Sequence, residues 1–274
     1  MPSQSGSALR YRKLSMVRMI RMKLIKCGML LSVFAAYHAL TQTTQNASPY
    51  LRDATISENA GMIRIDANSP RPLVQVLDAL RQKYGWLVNY EDPQYITPQD
   101  LKSEFGSNSH SHIPAGGSFS VEFPAAAPDE NKTLRLLVDS YNRSNNPGRF
   151  DVRRSAEGDF LIVGISTHDQ RGAISSQQVL LDTPVTLAPG ERSITDTVNL
   201  ICEQVKAQSH SDVVLGVSPR RLLDHTTVKL GGTKLPAHEL LLQSLMAVHR
   251  GLYWRLLFDP DSQTYFLNIH AMPR

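Results

Sequence analysis

Leu73, Leu77, Leu80 and Tyr84 step by four, three and four along the chain, which places them on one stripe of an α-helix. Gly85 follows as a helix stop, while Ser69 and Pro70 suit an N-cap and a first-turn position. The run 86–90 then reads as a strand. The same pattern returns at Ser193, where Ile194, Val198, Ile201 and Val205 repeat the steps 121 residues later. Ser193 with Asp196 resembles a capping box, and residues 213–217 supply the following strand. Further on, Val121, Phe123, Leu134, Val138 and Tyr141 recur as Val228, Leu230, Leu241, Leu245 and Val248, each 107 residues downstream. Matching spacings in a matching order predict an internal duplication.

The remaining segments fit around these two. Residues 62–66 alternate apolar and polar as a first strand, Phe119, Val121 and Phe123 keep a clean period of two, and residues 150–165 read as a hairpin turning at Glu157-Gly158. The chain ends on a second hairpin, LYWRLLF and TYFLNI flanking Asp259-Pro260-Asp261-Ser262, with Pro260 placed for a type I turn. The expected fold is α+β, two small tandem β-α-β-β-α-β-β modules after an N-terminal export leader. The boundaries follow: a leader or signal-anchor over 1–42, a linker over 43–61, module one over 62–166, a connector over 167–182 and module two over 183–274. Residues 97–117 form an insertion that the second copy almost lacks, read as a mobile polar loop.

Charge sharpens the reading of the N-terminus. Residues 1–26 carry seven basic residues (Arg10, Arg12, Lys13, Arg18, Arg21, Lys23 and Lys26) and no acid, and an apolar run of 14 residues follows. That is the layout of an export leader, either cleaved or kept as an anchor, with the remainder sent outward. Without those seven charges the net +4 of the chain becomes −3, and no basic run with interleaved aromatics follows residue 42. A nucleic-acid partner is therefore not expected, and the membrane is reached only through an uncleaved leader. Cys202 is left as the one cysteine beyond the leader; it forms no intrachain disulfide and reads as a small buried hydrophobe.

Candidate chemistry is sparse. The chain has no G-x-S-x-G, S-x-x-K, H-E-x-x-H or G-x-G-x-x-G, so no catalytic, cofactor-binding or metal-ligating residues are assigned. His110 and His112 are spaced for chelation by an extended strand but lack a third ligand nearby. Arg220 and Arg221, beside a Pro turn, are candidates for gripping a carboxylate or an anionic glycan. Tyr253, Trp254 and Tyr265 would serve a cell-wall or glycan binder if exposed, and otherwise pack across strands. A hydrolase would draw on His225, His238, His249 and His270 with Asp224 or Glu239.

Each half also resembles the secretin and TonB short N-terminal domain. In the first half the resemblance runs through Arg71-Pro72-Leu73, Ala79-Leu80, Gly85 and the turn Asn89-Tyr90-Glu91-Asp92-Pro93, then Phe119-Ser120-Val121, the helix around Leu134–Val138 and the strand 159–163; residues 228–269 repeat the later part. The insertion at 97–117 and the longer segment 206–212 depart from the family pattern. The resemblance implies a non-catalytic, protein-binding role toward other envelope proteins, such as an outer-membrane secretin or receptor component, with no cofactor. In the periplasm, where the resemblance places such modules, binding through an exposed sheet edge or the loops beside it, with two modules for two epitopes, would be bivalent.

Overall fold

The computed structural model describes residues 53–105, 110–248 and 251–272; the leader 1–42 and most of the linker lie outside them. The fold is mixed α+β. The first helix, α1 (Pro72–Tyr84), buries Leu73, Leu77 and Leu80 as the spacing requires. It starts two residues later than expected: Arg71 is the N-cap, Pro72 opens the first turn, and the Ser69 hydroxyl accepts from Arg71 N instead of capping. Pro72 suits that place because its missing N–H would have had no intrahelical partner. Gly85 closes the helix with φ 73°, its N–H donating to Arg81 O.

Around α1 the first half runs β1 (Thr55–Asn59), β2 (Met62–Asn68), β3 (Val88–Glu91), β4 (Leu101–Phe105), β5 (His110–Pro114), β6 (Ser118–Pro124), α2 (Glu130–Asn142), β7 (Arg149–Arg154), β8 (Phe160–His168) and β9 (Ile174–Ser176). After a 3₁₀ turn at Leu180–Asp182, the second half runs β10 (Pro184–Ser193), α3 (Ile194–Ser209), β11 (Asp212–Leu215), α4 (Arg220–Asp224), β12 (Thr227–Pro236), α5 (Ala237–Met246), β13 (Leu252–Asp259) and β14 (Thr264–Ala271). In the first half β2 pairs antiparallel with β6, β3 lies parallel to β8, and β7 pairs antiparallel with β8. The second half has the corresponding pairings, β10 with β12, β11 parallel to β14, and β13 antiparallel to β14. Ser193 caps α3 by accepting from Asp196 N, as its sequence implies.

The halves join through their sheets. β13 pairs in parallel with β3, giving the strand order β11-β14-β13-β3-β8-β7. Alternate residues of a strand face opposite sides of its sheet, and β8 feeds both sides. Phe160 and Ile162 enter one core with Leu73 and Leu134, while Leu161 and Val163 enter a second core with Val198 and Leu241. The helices of the two halves therefore cover opposite faces of one sheet, and the described residues form one compact unit.

Three expected irregular segments turn out to be ordered. The last part of the linker is β1, joined to β2 by Ala60 and Gly61, both at positive φ (48° and 74°), which is the two-residue turn that matches strand twist. The insertion 97–117 is a β4–β5 hairpin and not a loop. Its base is fixed by Asp100, fully buried, whose carboxylate accepts from His168 N at 2.8 Å and meets His168 Nδ1 at 2.7 Å. Within the connector 167–182, β9 extends the sheet along β8 and Leu180 and Leu181 are buried in the second core.

Leu77 and Leu245 lie in separate cores, 2% and 3% exposed. Leu77→Ala and Leu245→Ala should each lower stability by about 2–5 kcal/mol, through lost transfer energy and an unfilled cavity. Urea unfolding checks this, and a loss below about 0.5 kcal/mol for either would place that side chain at the surface.

Candidate interaction edge

Of the two ends of the long sheet, one is blunted at its start and by charge. At β7 the Asn142 side chain, from the last turn of α2, imitates a neighbouring strand: its Oδ1 accepts from Phe150 N at 2.9 Å and its Nδ2 donates to Phe150 O at 2.8 Å. Arg149, Asp151, Arg153 and Arg154 line the same strand. A satisfied backbone and dense charge are ways of keeping an edge from pairing.

The other end, β11, has no strand beyond it among the described residues. Gly216 N–H donates to Leu267 O on β14, so by the period of two the backbone groups of Val213 and Leu215 point away from the sheet. Val214 is 41% and Val217 68% exposed, large apolar side chains left at a free edge. A groove of about 570 Å³ flanks the strand on its helical side, walled by Asn199, Cys202 and Glu203 of α3 and by Arg220 and Asp224 of α4. A second, of about 470 Å³, runs from Gly216 and Val217 past Phe266 and Leu257 to Ile113 and Arg71. A strand laid on β11 would have a recess on either side for its alternating side chains.

The first half shows what such an edge does when filled. β3 corresponds to β11 in its pairing, and its outer side is taken by β13. Asn89 Oδ1 accepts from Trp254 N at 2.9 Å, Asp92 N donates to Leu256 O at 2.8 Å, and Asp92 Oδ2 accepts from Phe258 N at 3.0 Å. Arg71 Nε pairs with the same carboxylate at 2.7 Å while its Nη2 donates to Phe258 O at 2.6 Å, and Tyr90 Oη donates to Oδ1 at 2.8 Å. Alongside, Arg81 lies 3.5 Å from the Tyr253 ring centroid, and Arg255 and Arg81 both pair with Asp78. With β3 occupied in this way, the open end of this sheet among the described residues is at β11.

The residues singled out from sequence are dispersed. Arg220 and Arg221 sit on the short helix α4 and not in a loop; both are exposed, and Arg220 borders the groove beside β11. Tyr253, Trp254 and Tyr265 are 7%, 0% and 5% exposed, which removes the exposed aromatic surface a glycan platform needs. Trp254 fills the second core, Tyr265 packs on Phe258, and Tyr253 stacks on His270. His225 is exposed, and His238 lies by Asp182 and Glu239. His112 pairs with Asp261 at 2.8 Å, fastening the hairpin to the β13–β14 turn, and the His110 and His249 side chains lie outside the described residues. Among the described residues no three His, Cys, Asp or Glu side chains are grouped to hold a metal ion. Burial pushes the Cys202 thiol up to about 12, which leaves it without nucleophilic character. No described helix is long and apolar enough to cross a membrane. The β11 edge itself escaped sequence reading, although a short strand ending in Val217-Ser218-Pro219 carries its signal.

No protein-family model, curated protein or solved structure matches this chain.

Asp92 is buried with its carboxylate on a guanidinium, a phenol and a backbone N–H. Asp92→Ala should cost about 3–5 kcal/mol, because Arg71 is then left without its counter-charge. Urea unfolding of the variant reads this directly, and a cost under about 1 kcal/mol would show that β13 is held on β3 by other contacts.

Proposed function

We propose that this chain is an exported, non-catalytic protein-interaction protein, an adaptor or assembly factor of the cell envelope, which takes an extended segment of another envelope protein onto strand β11. The observation that carries this reading is the contrast between equivalent edges: β3 is filled by a strand of the same chain, whereas β11 is open between two grooves. Backbone groups of Val213 and Leu215 supply the ladder, and alternating side chains of the incoming strand enter the recesses. One recess is walled by polar residues of α3 and α4 and the other by apolar residues such as Phe266, Leu257 and Ile113, so the preferred segment is amphipathic with a period of two.

The recurring pairing order supports descent of both halves from one β-α-β-β-α-β-β module, of the kind the sequence resembles in the secretin and TonB short N-terminal domain. That resemblance points to an outer-membrane secretin or receptor component as the class of partner. Export rests on the basic-then-apolar N-terminus.

Val214→Lys combined with Val217→Lys places two charges on the edge without touching either core, so stability should change by no more than about 1 kcal/mol. Capture of partner from envelope extracts should fall by about tenfold or more, equivalent to at least ~1.4 kcal/mol. Met246→Lys, at an apolar position 59% exposed on α5, serves as the control and should bind as the unaltered chain does. Cross-links from the captured partner should map to residues 212–217. Equal capture by the edge variant, or cross-links confined to other surfaces, would reject the assignment.

A further inference from the structure

The filled edge at β3 shows how a strand sits on an edge of this kind, and β11 is its counterpart. Val88 and Tyr90 of β3 face the first core as Val213 and Leu215 of β11 face the second, and α1 packs on β3 as α3 packs on β11. On the filled edge β13 runs parallel to β3 with Arg255 paired to Tyr90, so Tyr253 and Arg255 turn toward α1. There Arg81 lies 3.5 Å from the Tyr253 ring centroid and Asp78 pairs with Arg255. The offset of 121 residues that relates the two helices puts Cys202 and Asn199 in the places of Arg81 and Asp78. Both wall the groove of about 570 Å³ beside β11. The clamp that grips the resident strand is replaced there by two short, uncharged side chains.

Two unpaired charges of opposite sign remain in that groove. Glu203 and Arg220 are exposed, and among the described residues neither side chain has a hydrogen bond or an ion pair. Their places along the strand are fixed by neighbouring contacts. Lys206 Nζ meets Asp212 Oδ1 at 2.6 Å, which sets the end of α3 beside the start of β11 and neutralises both charges. Glu203 precedes Lys206 by one turn, roughly 4.5 Å along the axis, and so lies beside Val213 and Val214. Thr195 Oγ1 donates to Asp224 Oδ1 at 2.5 Å, which engages Asp224 and sets the first turn of α3 beside α4, where Arg220 and Arg221 are carried. From Glu203 back to Thr195 is about 12 Å of helix, the span of roughly four strand residues.

We propose, building on the docking at β11 proposed above, that the docked segment runs parallel to β11 in the pose of β13 on β3, with a basic side chain over Val213 and an acidic one four residues later. The basic side chain lies along Cys202 with its head at Glu203, the position over Leu215 meets Asn199, and the acidic side chain reaches Arg220. A period of two keeps all three on the helical side of the sheet. Reversing the segment would set like charges together at both places, and that penalty selects the direction.

Three synthetic peptides of alternating Thr and Val, titrated against the full chain by fluorescence anisotropy, test this. One carries Lys and then Glu four residues later on its Thr side, the second has the two exchanged, and the third has Gln at both positions. The Lys-first peptide should bind about fivefold or more tighter than the Glu-first peptide at low ionic strength, with the Gln peptide between, and added salt should narrow the margin. Glu203→Lys combined with Arg220→Glu should invert the order. A nitroxide on the N-terminus of the Lys-first peptide should broaden the amide signals of residues 210–213 and spare 218–221. Equal binding of all three peptides, lost in Val214→Lys with Val217→Lys, would overturn the charge order and leave the docking edge standing. Tighter binding of the Glu-first peptide, or broadening at 218–221, would overturn the parallel pose. Binding by none of the peptides, or binding that survives Val214→Lys with Val217→Lys, would overturn the docking edge and the charge order with it. Melting curves establish that each variant is folded before it is compared.

Discussion

The parallel pairing of β13 on β3 is the constraint on which the rest depends. A parallel pair of strands from distant segments has no short turn to hold it, so something must fix its register. Here the side chains do so: Asn89 and Asp92 reach across to Trp254 N and Phe258 N, and Arg71 ties the buried carboxylate to Phe258 O. A buried ion pair adds little net stability, since desolvation offsets its attraction, but it penalises every arrangement that leaves one partner alone. Register and partner choice follow from that penalty.

Once β13 is in place, its consequences spread through the sheet. β8 becomes interior on both faces, and its run Phe160-Leu161-Ile162-Val163 serves two cores. Separate sheets would leave one side of this run in water. The 3₁₀ turn closes over the second core, with Leu180 N and Leu181 N satisfied by the buried Glu91. The sheet then has two ends of different character, β7 covered at Phe150 by Asn142 and lined with charge, and β11 open among the described residues. A blunted end disfavours repeated head-to-tail growth through this sheet while leaving a single addition at the other.

The helices and hairpins were legible because their signals are local. The stripe Leu73, Leu77, Leu80, the cap at Ser193, and the turn residues Gly158 and Pro260 each act within a few positions. What escaped has non-local causes. β1 and β4–β5 carry too few apolar residues to print a period, although Ile56 and Leu101 pack against the cores, and they are held by backbone ladders and by Asp100. The continuous apolar run of β8 announces burial on both faces but not by what. Trp254 and Tyr265 were open to two readings because an aromatic in a strand looks the same whether it faces water or a helix on the far side. The candidate edge was foreseen only as a class of surface; which strand would be free depended on β13 taking the side of β3, a contact 165 residues apart in sequence.

The two equivalent edges also differ in the kind of recognition they permit. Setting the halves together on the ladder rungs Tyr90–Ile162–Val152 and Leu215–Leu267–Leu256 puts Val214 and Val217 where the first half has Asn89 and Asp92. An amide and a carboxylate demand donors at defined places, and their burial is costly if the donors are missing, so β3 selects one strand in one register. Valines make no such demand. In the proposed docking at β11 the backbone of an incoming strand would carry the ladder and the flanking grooves would sort side chains by size and polarity, which would tolerate varied sequences of the same period. On this argument one edge is specialised for closing the fold, and its counterpart lacks the polar anchors that would restrict what it can hold.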